Sequence, residues 1–395
     1  MTIDEPGTRA SGAPRAFALW NLGFRPFYLV AALFAAASLP LWVAQYAGLL
    51  PAPYVRSAAW HGHEMLFGYT LAVVAGFLLT AVRTWTSQPT PAGGTLAALV
   101  ALWVAGRVLV LTPFDVAAAL VNAAFPLAVA VAIGVPIARS RNRRNYFFVG
   151  LLVGLGAAVL AFHLAQMGVD VLPPRLGLQA GLDVVLFIMA VMGGRVIPMF
   201  TNNGIPGTHA ARHPALERVA LGSVLALLAA DTLQAPSAVV ATLALVAAVA
   251  HAGRLLLWQP WRTLRTPLVW VLHLAYAWIV VALALRGLAA LGLVAETFAV
   301  HALTAGAIGG LTMGMMTRTA RGHTGRPLIA DRVDVACYTL VALAAAVRVF
   351  GGMLAPAAYV GAVAVSATLW SAAFALYALR YWPVLSRARL DGKPG

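Results

Sequence analysis

The sequence predicts an all-α, polytopic integral membrane protein with about twelve transmembrane helices and both termini in the cytoplasm. Three observations predict it. Of 395 residues 62% are hydrophobic and only 10% are charged, with a mean hydropathy of +0.85, whereas an ordinary soluble domain has roughly 25% charged residues. Apolar runs of the ~20 residues needed to cross a bilayer recur along nearly the whole chain. The arginines fall mostly in alternate breaks between those runs, as retention of positive charge on the cytoplasmic side requires.

Taken in order, the opening stretch MTIDEPGTRASGAPRA has no apolar core ahead of a small-residue cleavage site. It reads as part of a disordered cytoplasmic tail, residues 1–23, and not as a signal peptide, so the first crossing must itself direct insertion. That crossing is 27–49. The second, 58–82, opens on WHGHEMLFGY and stops before the Pro/Gly-rich SQPTPAGG. The third and fourth, 95–112 and 115–138, are parted by a Pro-Phe pair, and the basic run RSRNRRN precedes the fifth, 146–168. PPRLG precedes the sixth, 178–200, and TNNGIPGTHAARH the seventh, 216–233. The eighth, 236–257, ends at WQPWRTLR, after which come the ninth, 267–287, and the tenth, 294–317. TARGHTGRPLIADR leads into the eleventh, 333–353, and a Pro opens the twelfth, 356–382. A transmembrane domain over 24–382 and a cytoplasmic tail over 383–395 leave almost no room for a soluble domain.

Assigned to these spans, Arg139, Arg141, Arg143, Arg144, Arg212, Arg218, Arg254, Arg262, Arg265, Arg318, Arg321, Arg326 and Arg332 fall on one side, with Arg380, Arg387, Arg389 and Lys393. Only Arg56, Arg107, Arg175, Arg286 and Arg348 approach the other. Topology therefore accounts for most of the net charge of +15, and no nucleic-acid partner is implied. The single cysteine, Cys337, excludes an internal disulfide and any multi-cysteine zinc or iron–sulfur site.

With the helices oriented, each intramembrane histidine acquires a depth, taking ~1.5 Å of rise per residue. His61 and His63 lie about 4 to 8 Å from the external end of the second span, His163 about 8 Å from that of the fifth and His301 about 10 Å from that of the tenth. Asp183, about 8 Å into the sixth span, and Glu64 belong to the same outer layer. His251 and His273 form a thinner layer about 9 Å from the cytoplasmic ends of the eighth and ninth spans. His209, His213 and His323 read as loop residues. A lone histidine such as His251 often just bonds a neighbouring helix. A layer of four histidines and two carboxylates is a different matter, because each ionisable group costs some 2 to 3 kcal/mol or more in a bilayer and persists where it holds an ion, a proton or a cofactor.

Imidazole suits iron, copper and zinc, and haem iron is commonly held by an axial histidine. On a regular helix His61 and His63 point roughly 200° apart. Either the start of the span is irregular or the two serve different partners. His61 and Glu64, three apart, share a face, so the carboxylate is expected to orient that ring or deliver a proton beside it. The methionines Met313, Met315 and Met316 read as packing rather than copper ligands, and Gly306, Gly309 and Gly310 as small residues permitting close helix contact. Trp85, Trp103, Trp258, Trp261 and Trp382 read as interfacial anchors.

Several stretches carry a family resemblance: FRPFYLVAALFAAASLPLW, WHGHEMLFGYTLAVVAGFLLTAVRTWT, GGRVIPMFTNNG, LVWVLHLAYAW and HALTAGAIGGLTMGMMTRTARGHTGRPL. They resemble the NnrS family, a group of twelve-span bacterial inner-membrane proteins bearing haem and copper and associated with denitrification and defence against nitric oxide. Carried over by motif, the resemblance implies a cofactor role for His61, His63 and Glu64 of the H-x-H-E stretch, for His301 and for His273. It places Arg195, of G-R-x-I-P, where a guanidinium is able to pair with a haem propionate or simply snorkel. His163 joins the metal-ligand candidates by depth alone. Nothing in the motifs says which histidine takes iron and which copper.

The leading expectation is thus a haem- and copper-binding protein acting on nitric oxide, by binding, detoxification or reduction, with Glu64 and Asp183 as proton donors and an unidentified electron donor. The alternatives are a transporter of a metal or small anion, against which the polar layer lies toward one face and no internal repeat is evident, and an assembly factor for another haem protein.

Overall fold

The computed structural model of the chain describes residues 17–49, 54, 55, 57–169 and 171–393; most of the expected N-terminal tail, and Arg56, lie outside them. Twelve helices coincide with the twelve apolar runs. They are α1 (Phe24–Tyr46), α2 (Ala58–Thr86), α3 (Gly93–Leu109), α4 (Asp115–Arg139), α5 (Phe147–Gln166) and α6 (Leu176–Gly204), then α7 (Pro214–Thr232), α8 (Ser237–Leu257), α9 (Pro267–Ala290), α10 (Glu296–His323), α11 (Arg332–Leu354) and α12 (Tyr359–Ser386). Ten of them are long and apolar enough to cross a membrane. The other two are α3, with 17 residues, and α7, which carries Glu217, Arg218 and Asp231. Among the described residues there is no strand, only an isolated bridge from Phe17 to Arg387.

Local chemistry sets the helix ends. Pro214 and Pro267 open α7 and α9, where a missing N–H costs nothing. Gly292, at φ +74°, stops α9 in a left-handed turn. Asp331 and Asp334 form a reciprocal capping box at the start of α11. The same two carboxylates accept from Arg321 of α10 at 2.8 and 2.5 Å, while Arg380 and Tyr381 of α12 each reach them at 2.8 Å. One charged knot therefore ties three helices at one end of the bundle. Helix α10 runs to His323, six residues beyond the expected span, and the His323 ring packs on Phe24 of α1 at 5.7 Å, so this histidine is helical and not a loop residue.

Sequential helices pack on one another, and α12 closes against α1. Burial sorts them into layers. In the most apolar stretch of α2 83% of residues are buried, with 72% in α6, 67% in α9 and 61% in α10, against 33% in α12 and 39% in α8 and α11. The four inner helices carry His61, His63, Asp183, His273 and His301, while His163 and His251 lie on the less buried α5 and α8. Small residues let them approach: a Cβ on Gly310 would come within 2.7 Å of the Ala275 Cβ. Three helices widen to π-turns, at Glu64–Thr70 in α2, Ala302–Ile308 in α10 and Val347–Gly351 in α11. The first two begin immediately after His63 and His301, and the third contains Arg348. Such bulges are frequent at functional sites.

Candidate functional site

Both α2 histidines lie on its regular first turns, Ser57–His63, and the ~3.6-residue period turns them apart. His63 points at α5, where its Nε2 faces the Nε2 of His163 at 3.1 Å, with Phe67 and Phe162 packed around the ring. His61 points at α1, where it stacks on Trp42 at 4.9 Å. Of the two possibilities open in the sequence, different partners on a regular turn is the one observed.

Glu64 begins the π-turn, and its carboxylate lies with His63 instead of His61. His63 Nδ1 donates to Oε1 at 2.7 Å, and Arg107 of α3 donates to the same oxygen at 2.6 Å. The expectation that Glu64 orients His61 is corrected here: the widened turn breaks the three-residue spacing rule. Arg107 is buried, bonds Asn122 of α4 and lies 5.7 Å from the Trp103 ring. Gly68 makes room for it, since a Cβ there would stand 2.6 Å from Nη1. At the other end, Tyr54 bonds His163 Nδ1. Burial, reinforced by the Asp115 and Glu64 charges, raises the Tyr54 hydroxyl well above its ordinary range, so it carries its proton. The result is one continuous line, Tyr54, His163, His63, Glu64, Arg107, Asn122. Its two histidines and its glutamate are fully buried, and Glu64 Oε2 has no partner among the described residues.

The second cluster surrounds His61. His301 Nδ1 donates to the Thr297 carbonyl at 2.7 Å, which fixes the tautomer and leaves Nε2 with its lone pair. The Arg348 charge reaches both His61 and His301, and its π-turn packs on the Glu296–His301 turn. Among the described residues, His61 Nδ1, Trp42 Nε1, both amide atoms of Gln45 and Arg348 Nη1 are buried without hydrogen-bond partners. Buried polar groups in a folded protein are normally satisfied, so such a concentration marks a place built around something else.

Asp183 belongs to neither cluster. Arg286 of α9 donates to it at 2.6 Å and also bonds Asp231 of α7, and Gln179 lies 3.4 Å away. Above this triad a cavity of about 340 Å³ is lined by Arg175, Gln179, Asp231, Gln234, Arg286 and Glu296, among others. Asp183 and Glu64 thus have different arginine partners and do not share a site.

The inner layer is bonded differently. His251 is satisfied on both nitrogens, by Tyr276 at 2.5 Å and the Ala220 carbonyl at 3.3 Å. Beside it the buried Arg254 holds Glu217 at 2.9 and 3.1 Å, Tyr276 at 2.6 Å and the Ala190 carbonyl at 3.0 Å. His273 bonds Thr201 at 2.8 Å, packs near the Trp258 ring and leaves Nδ1 without a partner among the described residues. Arg195 donates to Asn145 at 2.8 Å and lies over the Phe147 and Phe148 rings. Among the described residues no three His, Cys, Asp or Glu side chains form a ready-made metal cage; the imidazoles in direct contact are His63 and His163. Tyr54, Arg107, Asn122, Arg286, Asp231, Trp42 and Gln45 are the site residues that the sequence reading did not single out.

The family model described as NnrS protein matches residues 18–389, nearly the whole chain. No curated protein matches it.

Proposed function

The chain belongs to the NnrS family, and from that premise we propose that it is a haem- and copper-binding protein of the bacterial inner membrane that acts on nitric oxide. In this reading all twelve helices cross the bilayer, both termini are cytoplasmic, and the two outer clusters face the periplasmic half. The observation that carries it is the buried contact of His63 and His163, Nε2 to Nε2 at 3.1 Å, beside a second group of buried polar atoms around His61 that have no partner among the described residues.

The residues fit the groups the family implies. His61 and His301 offer nitrogens free of protein partners, surrounded by polar atoms that no side chain satisfies, which suits a cofactor of some size. His63 and His163 present facing Nε2 atoms whose opposite nitrogens are held by Glu64 and Tyr54, the carboxylate and phenol backing that orients metal-binding imidazoles. Haem on the first pair and copper on the second would supply open coordination positions and electrons for a small gas.

The chain's own residues do the rest. Apolar helices admit nitric oxide from the lipid and exclude bulk water. Reduction of two nitric oxide molecules to one nitrous oxide and one water consumes two protons and two electrons. Glu64 holds a proton position next to His63, and Arg107 fixes its carboxylate. The electrons come from a donor protein or quinol still to be identified. Purified protein in detergent tests the reading: iron, copper and a Soret band at fixed stoichiometry, with a spectral change on adding nitric oxide, support it. Protein free of both metals after expression in a haem- and copper-replete host would sink it.

A further inference from the structure

Arginines in the outer half of this bundle come with counterions, and Arg348 is the exception. Arg107 is paired with Glu64, and Arg286 with Asp183 and Asp231. Among the described residues Arg348 has no carboxylate within salt-bridge distance. Its Nη2 donates to the Tyr359 hydroxyl at 3.2 Å, its guanidinium lies 5.4 Å from that ring, and Nη1 is buried without a partner. A guanidinium held within a bilayer with unused donors is costly unless an anion completes it. It projects from a π-turn packed on the His301 turn, within electrostatic reach of both His61 and His301. Around the same His61 ring, Trp42 Nε1 and, one turn on, the Gln45 amide offer further unsatisfied donors.

We infer that Arg348, assisted by Gln45 and Trp42, forms the subsite for a carboxylate arm of the ligand that His61 and His301 hold. This rests on the haem reading above and takes Arg348 in place of Arg195 as the partner of that carboxylate. Arg195 already donates to Asn145 and lies over two phenylalanine rings, while Arg348 has donors to spare. Planar, bidentate recognition of carboxylate is what a guanidinium does better than an ammonium.

Wild type, Arg348→Gln, Arg348→Lys, Gln45→Leu and Arg195→Gln are purified as full chains. Haem content, the rate of haem transfer to an excess of a scavenging apo-globin, and the haem midpoint potential are then measured. Arg348→Gln should release haem about tenfold faster or more and shift the midpoint to more negative values, since a positive charge near the iron is lost. Arg348→Lys should fall between it and wild type, Gln45→Leu should release haem severalfold faster, and Arg195→Gln should match wild type. Should Arg348→Gln fail to insert, Arg348→Lys and Gln45→Leu carry the test. A haem-loaded Arg348→Gln variant with wild-type release and potential overturns the subsite, and means that Arg348 meets a lipid phosphate instead. Wild type without haem removes the functional reading and this inference together.

Discussion

His63 and His163 face each other Nε2 to Nε2 at 3.1 Å across the interface of α2 and α5. Two imidazole lone pairs at that separation repel unless a proton or a cation lies between them. With a proton, the bonds run in one direction: Tyr54 donates to His163, His163 to His63, and His63 to Glu64. A metal ion there would be held by both Nε2 atoms, with His163 then donating from Nδ1 to Tyr54 and His63 still donating to Glu64.

The separation of the two clusters predicts separable metal losses. His63→Ala and His163→Ala should each lower copper to near zero while leaving most of the haem. His61→Ala and His301→Ala should remove haem and spare copper. Metal analysis alongside the Soret absorbance of each purified variant measures both, and parallel loss of both metals in all four variants would merge the clusters into one site. His251→Ala should leave both metals in place, since its nitrogens are occupied within the protein.

Arg254 and Glu217 should matter for stability rather than cofactors. Arg254 is 1% exposed and bonded to three helices besides its own. Glu217→Ala leaves that guanidinium buried without its counterion, so a loss of about 3 to 5 kcal/mol is expected. The paired change Arg254→Met with Glu217→Leu should cost less than either single removal of charge. Thermal unfolding in detergent reads the difference, and a double variant less stable than either single would show the pair to be worth more than its desolvation cost.

The knot at the start of α11 gives a pH dependence. Partial burial would raise the Asp331 carboxyl, but the hydrogen bonds from Arg380 and the Asp334 amide, with the charges of Arg380 and Arg321, outweigh it and hold it below its ordinary value. A folded-state value below the unfolded one means stability that is complete above about pH 4 and lost as pH falls through the folded value. Unfolding temperature should therefore be flat from neutral pH to about 4 and then decline, and Asp331→Asn should flatten part of that decline. An unchanged acid limb in the variant would assign the decline to other groups.

Much of the architecture was legible because a bilayer admits few solutions: each apolar run of ~20 residues becomes a helix. The equal depths expected of His63 and His163 are consistent with their meeting across α2 and α5. Which residues meet was not legible, because partners depend on helix order and rotation. The clearest signal lay in the arginines. Arg107, Arg286 and Arg348 are exceptions to the expected cytoplasmic bias; Arg107 and Arg286 sit in ion pairs, and Arg348 lies on a π-turn packed against the His301 turn. The pairing of Glu64 with His63 could not be read from spacing, since the π-turn that produces it has no signature in the sequence.

Topology is open to direct test. Reporter fusions after Arg144, Arg218 and Arg332 should all report cytoplasm, and one after Arg175 the periplasm, if the arginine bias sets orientation. The fusions after Arg175 and Arg218 bracket α6, and one after Gln234 extends the test across α7, which is not among the ten helices long and apolar enough to cross a membrane. A cytoplasmic signal at Gln234 would remove α7 from the crossings, and the opposite signal at Arg144 would turn both histidine clusters to the inner face.

The last prediction separates catalysis from binding. A site that reduces nitric oxide needs a proton-holding group beside its metals, whereas one that only binds the gas does not. Glu64 is buried, bonded to His63 and fixed by Arg107, with its second oxygen free. Asp183 is bound to Arg286 in a separate cluster, so it should be dispensable for proton delivery at the histidines. Glu64→Gln keeps the size and can still accept from His63, but it removes the titratable proton. In an enzyme, Glu64→Gln should retain haem and copper and still bind nitric oxide, yet form nitrous oxide at least about tenfold more slowly with an artificial electron donor. Asp183→Asn should keep most of the rate. Wild-type protein that binds nitric oxide but forms no nitrous oxide under the same reducing conditions would end the catalytic reading. It would leave a protective or sensing role, in which the Tyr54-to-Glu64 line serves only to position the imidazoles.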